Sequence, residues 1–150
     1  MIKIERTFTI HRPVEEVFAY LSDVEHGPRY ISGQREAHKT STGPMGIGTT
    51  FATSGKFLRR RTTCEVTEYE PNCRLAWQAT SGAQPTTTWS LEPSGPSTRV
   101  TFTRVADPAG LFRLPETLLL GLANGRVDQD LGSLKELLAI TRKPSAAKSW

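Results

Sequence analysis

The sequence predicts an α+β domain: one antiparallel sheet of about seven strands, covered by a single long C-terminal helix, with two short helices after the first strand. Three observations predict it. Residues 2–10 alternate apolar and polar side chains. From residue 57 to 106, strand-like runs follow one another across short turns rich in Pro, Gly, Asn and Ser. Over residues 116–141 an apolar stripe recurs at steps of three and four.

The first strand sets Ile2, Ile4, Phe8 and Ile10 against Lys3, Glu5, Thr7 and Thr9, a half-buried pattern in which Arg6 falls on the apolar side. A helix is expected over about 13–22. Pro13 suits its first position, Glu15 and Glu16 suit its first turn, and Val14, Val17, Phe18 and Leu21 form the buried stripe. "HGPRYISG" reads as a turn or short second helix, and a weak strand follows over about 34–41. "GPMGIG" (43–48) is a glycine-rich turn. It lacks the Gly-Lys-Ser/Thr ending of a phosphate loop and leads into a strand at 49–55, not into a helix.

The long terminal helix carries Leu120, Ala123, Val127, Leu131, Leu134 and Leu138 on one stripe. At 1.5 Å per residue, about 26 residues span roughly 39 Å, enough to cover the sheet. Gly121, Gly125 and Gly132 interrupt it, each at a cost of roughly 1 kcal/mol relative to Ala. Close packing against the sheet, or a bend, is the expected reason for them.

The composition is that of a soluble globular domain, with 37% apolar residues and no run long enough to span a bilayer. The N-terminal stretch alternates and so does not read as a signal peptide, making a cytoplasmic location the expectation. The formal charge is +4, but Arg142, Lys143 and Lys148 sit in the last nine residues, and removing them leaves +1 for residues 1–141. The expectation is a single domain over 1–141 and a basic, disordered tail over 142–150. A nearly neutral body argues against nucleic acid as a partner. No metal-ligand spacing is present, and no cofactor is implied.

Register can be tested in "EVTEYEPNCRLAWQA". With Pro71 and Asn72 at the centre of the turn, Val66 faces Trp77, Cys64 faces Ala79 and Glu68 faces Leu75. The other face pairs Glu65 with Gln78, Thr67 with Ala76 and Tyr69 with Arg74. One face is mostly apolar and the other mostly polar, so turn and pattern agree. A bulge would shift this by one residue. Cys73 then lies at the turn, roughly 20 Å of strand from Cys64, so the two cannot form a disulfide.

Parity divides "FLRRRTTCEV" (57–66): Arg59 and Arg61 point to water, Arg60 points inward. The next hairpin gives Trp89 and Phe102 to the inner face, with Arg104 beside Phe102. An inward arginine must meet an acid such as Glu68, snorkel to the rim, or meet a ligand anion or carbonyl. His11, His26 and His38 fall on no clearly inward position, and no nucleophilic triad or carboxylate pair stands out.

The segments "IHRPVEEVFAYLSD", "GPMGIGTTF", "EVTEYEPNCRLAW", "STRVTF" and "DLGSLKELL" run through most of the chain. In them the chain resembles the START-like (helix-grip, SRPBCC) superfamily, and most of all its bacterial polyketide cyclase/dehydrase and lipid-transport group. The resemblance implies a seven-stranded sheet gripping the terminal helix, two short helices closing one end, and a cavity between for a hydrophobic ligand. Many relatives carry tryptophans just after the first helix. Here Tyr30 is the only aromatic there, which implies a more open or more polar end.

Apolar candidates for ligand contact are Tyr30, Phe51, Trp77, Trp89 and Phe102, with Leu120 and Val127 from the helix. Polar candidates are Arg60, Arg104, Asn124 and Asp128. The first expectation is a binding protein for a hydrophobic small molecule, monomeric or homodimeric. An alternative is a cyclase or dehydratase using the same cavity, with its catalytic groups unassigned. The third is an interaction module that holds no ligand.

Overall fold

Every strand predicted from alternation pairs antiparallel with its neighbour. The computed structural model describes residues 2–55, 61–80, 84–106 and 116–141, with side chains from 120 to 139 in the last segment. Arg59, Arg60 and residues 142–150 lie outside the described residues. The elements run β1 (Ile2–Ile10), α1 (Val14–Ser22), a 3-10 turn (Val24–His26), α2 (Gly27–Tyr30), β2 (Gln34–Lys39), β3 (Thr50–Gly55), β4 (Arg61–Glu70), β5 (Arg74–Ala79), β6 (Thr86–Ser94), β7 (Ser97–Ala106) and α3 (Glu116–Thr141). They form one sheet of seven strands in the order β1-β7-β6-β5-β4-β3-β2. The two strands flanking α1 and α2 are therefore its opposite edges, and those helices carry the chain across one end.

The inner face follows the predicted parity. Ile2, Ile4 and Ile10 are buried on β1, Thr87, Trp89 and Leu91 on β6, and Val100 and Phe102 on β7. Trp89 stands opposite Phe102, and Thr87 opposite Arg104. From α3, Val127, Leu131, Leu134 and Leu138 close over this face in a single apolar cluster. Burying one such side chain contributes about 1.5–3 kcal/mol, so this stripe fixes the helix to the sheet. Val17, Phe18 and Leu21 of α1 seal the end. Thr98, fully buried, donates from Oγ1 to the Arg12 carbonyl at 2.8 Å and ties β7 to the link before α1.

The central hairpin keeps the predicted register only in part. Cys64–Ala79, Glu65–Gln78 and Val66–Trp77 stand opposite as expected. A bulge at Thr67 then shifts the ladder, so that Glu68 faces Ala76, Tyr69 faces Leu75 and Glu70 faces Arg74. The turn is wider than two residues, spanning Pro71–Cys73, and Asn72 adopts φ 63°. The physical reason is the change of parity that an extra residue brings. It turns the Tyr69 ring onto Phe18, with centroids 5.4 Å apart, and leaves Glu68 to pair with Arg74. Both cysteines are free, Cys64 buried and Cys73 exposed.

The glycines of α3 do not pack against the sheet. A Cβ built on Gly121, Gly125 or Gly132 would meet nothing within 4 Å, and all three are exposed. The close-packing expectation is therefore wrong. The apolar stripe lies on the opposite side of the helix from these residues. By contrast, a Cβ on Gly27 would come within 2.3 Å of Gln34 Oε1, so a side chain there would displace the end of the Gln34 side chain. The turn at 43–48 puts Gly43 and Gly48 at φ +91° and leads into β3, as a hairpin connection and not as a helix start.

Candidate functional site

Two neighbouring spaces lie on the inner face of the sheet, and the inner one is closed by α3. The inner one is lined by Tyr30, Ile31, Trp77, Trp89, Phe102, Arg104, Val127, Asp130 and Leu131. It encloses about 290 Å³ between atoms, yet it is so closely walled that little more than a water fits. The outer one is a cleft with about 600 Å³ of empty space, part of it open to solvent, lined on the sheet side by Phe51, Thr53, Thr62, Cys64, Trp77, Ala79 and Thr87. Ile31, Trp77 and Arg104 border both. A separate groove with about 620 Å³ of empty space, more open to solvent than either, is lined by Ser22, Asp23, Val24, Glu25, Lys39 and Met45 and carries no aromatic wall.

The walls are aromatic because strand parity aims β3, β5, β6 and β7 residues at the same volume. Phe51 meets Trp77 edge-on with centroids 5.5 Å apart, and Trp89 meets Phe102 at 4.8 Å. Tyr30, carried in by α2, meets Trp89 at 6.5 Å. Each such pair contributes about 0.5–1.5 kcal/mol beyond the area it buries, which holds the rings as a fixed wall.

Arg104 is the polar exception on that wall. It retains some accessible surface because it borders the void, but it lies deep in the fold. Its guanidinium carbon stands 5.2 Å from the Phe102 ring centroid, and Nε donates to Thr87 Oγ1 at 3.2 Å. No carboxylate among the described residues comes within ion-pair distance of it. Burial is the largest influence on its pKa and lowers it, and Asp130, Tyr30 and Cys64 partly oppose that shift. A guanidinium stays charged even so. The expected acid partner, Glu68, is engaged with Arg74 instead.

Burial pushes the Tyr30 phenol well above its ordinary pKa, against the pull of Arg104. Burial likewise pushes the Cys64 thiol up to about 11, again opposed by Arg104. Both groups are therefore protonated at neutral pH. The Trp89 indole N–H is buried with no hydrogen-bond partner among the described residues.

The structure sorts the sequence-predicted residues. Tyr30, Phe51, Trp77, Trp89, Phe102, Arg104 and Val127 come together around the two spaces. Leu120 packs against the core cluster without lining either. Asn124 and Asp128 also line neither. They receive Arg6 instead, with Nε–Oδ1 at 2.8 Å to Asp128 and Nη2–Oδ1 at 2.7 Å to Asn124. Arg6 thus meets the helix, not the cavity. Arg60 lies outside the described residues.

Sequence reasoning missed Asp130. It is buried against the inner space, and its Oδ1 accepts the Ser32 backbone N–H at 2.9 Å. The signal was present, since Asp130 stands three residues after Val127 and four before Leu134, within the buried stripe. No histidine lines either space: His11 and His38 are exposed, and His26 Nδ1 faces the Tyr20 carbonyl at 3.0 Å. Among the described residues there is no cluster fit to hold a metal ion, and no helix is long and apolar enough to cross a membrane.

Comparison with known proteins agrees with this architecture. The family described as "Polyketide cyclase / dehydrase and lipid transport" matches residues 1–139. The fold is similar to a START superfamily protein from Mycobacterium smegmatis (TM-score 0.74, 14% identity, 91% of this chain and 97% of that one). It is similar to a Thermus thermophilus protein (0.73, 18%, 93% and 99%). It also resembles the Zhui aromatase/cyclase from Streptomyces (0.71, 15%, 91% and 93%). None of the curated proteins compared with the sequence matches it. With a match that spans nearly the whole chain and a sheet that grips its terminal helix, this protein belongs to the polyketide cyclase / dehydrase and lipid transport family.

Proposed function

We propose that the protein binds a hydrophobic small molecule, of lipid-, polyketide- or aromatic-like character, between the sheet and α3. The observation that carries this is an aromatic-walled cleft bordered by one deep arginine with no carboxylate among the described residues at ion-pair distance. Apolar ligand sites have this form: mostly hydrophobic walls with a few polar groups that orient the guest. Tyr30, Phe51, Trp77, Trp89, Phe102 and Val127 supply the walls, and Arg104 the orienting group. The inner space must widen to admit a ligand, and Ile31, shared by both spaces, is placed to move. Native mass spectrometry of freshly purified protein tests the reading. A co-purified or added apolar molecule should appear as a mass shift that is lost on denaturation. Bare protein that also fails to bind an apolar dye such as Nile red would refute it.

A second reading, a cyclase or dehydratase, draws support from Asp130, the one carboxylate among the described residues lining these spaces. Arg104 would polarise a substrate carbonyl while Asp130 takes the proton beside it. Turnover of a poly-β-ketone model substrate, abolished by Asp130→Asn with binding retained, distinguishes catalysis from carriage.

A further inference from the structure

We propose that the ligand is an apolar carboxylic acid bound as its monoanion, with the carboxylate at Arg104 and the apolar body in the outer cleft. This rests on the binding reading above and names the ligand class.

The argument compares donors with acceptors. A guanidinium presents five N–H donors in a fixed fork. Arg104 uses Nε toward Thr87, and the rest of its fork makes no hydrogen bond among the described residues. Trp89 is only 2% exposed and lines the same inner space, and its indole N–H, which can only donate, has no partner. The Tyr30 hydroxyl, also at this wall, makes no hydrogen bond among the described residues. Against these stand one carboxylate, Asp130, with Oδ1 already accepting from Ser32, and the buried Gln34 Oε1 on the outer cleft, which has no hydrogen-bond partner among the described residues. Neither takes a hydrogen bond from the Arg104 fork, whose open donors face the cavity.

A neutral carbonyl offers the fork one acceptor oxygen and no charge. A carboxylate brings two coplanar oxygens that match the guanidinium fork, and its charge strengthens both hydrogen bonds. A phosphomonoester dianion would place more negative charge beside Asp130. Asp130 favours the charged form of Arg104 more strongly than Arg126 opposes it, but from beyond ion-pair distance, so the contact position is left to a ligand. Position agrees with chemistry. Arg104 borders both spaces, so a head group held there leaves the body free to lie along Phe51, Trp77, Ala79 and Pro85.

The test is Nile red displacement from the full-length protein at pH 8 by two matched pairs: 2-naphthoic acid with its methyl ester, and dodecanoic acid with its methyl ester. Each acid should displace the dye at least about tenfold more tightly than its ester, the size of effect expected from charge-assisted hydrogen bonds. Arg104→Gln should bring the acids down to the level of the esters and leave the esters within about twofold, their retained binding showing that the variant is folded. Arg104→Lys should keep part of the preference. Esters that match or exceed the acids in the unmodified protein overturn the carboxylate inference while the binding reading stands. Failure of Nile red itself to bind overturns both.

Discussion

Arg6 on β1 and Asp128 on α3 lie 2.8 Å apart, Nε to Oδ1, and pin the edge strand to the helix that covers the sheet. The hydrogen bond from Arg6 holds the Asp128 carboxyl below its ordinary pKa. A carboxyl depressed in the folded state stabilises above its unfolded value of about 3.9, and that contribution is lost as pH falls through the folded value. Asp128 is largely exposed, so solvent screens the effect. Asp128→Asn should therefore lower the melting temperature slightly at pH 7, and the gap from the unmodified protein should close below about pH 4. Melts at pH 7, 5 and 3 check this. A gap independent of pH would mean that Asp128 contributes something other than the ion pair.

Gly125 and Gly132 sit in an exposed helix interior where a Cβ meets nothing within 4 Å. Gly→Ala there removes backbone freedom from the unfolded chain without a clash. Each substitution should raise stability by roughly 0.5–1 kcal/mol in urea unfolding. Destabilisation would show that these positions serve a partner or a motion for which the glycine is required.

Trp89 combines deep burial with an unpaired indole N–H. Trp89→Ala should cost about 3–5 kcal/mol through the cavity it leaves. Trp89→Phe keeps most of the ring contact and removes a donor whose burial is itself unfavourable, so it should cost well under half as much. Equal losses in equilibrium denaturation would mean that the indole N–H has a partner in solution.

Cys64 and Cys73 should separate cleanly by reactivity. With burial raising its pKa to about 11, Cys64 is roughly one part in a thousand thiolate at pH 8, and only the thiolate attacks. Cys73 is exposed at the hairpin turn. Treatment of native protein with a disulfide reagent should modify Cys73 alone, with Cys64 following on unfolding. Prompt labelling of Cys64 in peptide mapping would contradict the burial of the inner face.

Much of the fold was legible because a strand's side-chain period is two and a helix's is close to four. Trp89, Phe102 and Arg104 could be assigned to one face from spacing alone, and so could Val127, Leu131, Leu134 and Leu138. The hairpin register held from Cys64 to Val66 for the same reason. It failed beyond Thr67, since a bulge there packs the half-buried Tyr69 ring against Phe18, a residue distant in sequence. The three helix glycines misled in the opposite way. Their residue type suggested close packing, whereas their angular position around the helix left them in open space.

Local periodicity and turn chemistry dictate the order of elements, the antiparallel sheet, the covering helix and most of the apolar side chains that point inward, with Asp130 and the residues past the Thr67 bulge as the exceptions. Which inward groups find partners was decided only by tertiary structure. Arg6 found Asp128 and Asn124 across 118 residues or more of chain. Glu68 went to Arg74, and Arg104 was left near Asp130 and Trp89 with no carboxylate among the described residues at ion-pair distance. Hydrogen bonds and ion pairs depend on distances of about 3 Å between elements remote in sequence, and no periodicity encodes those distances.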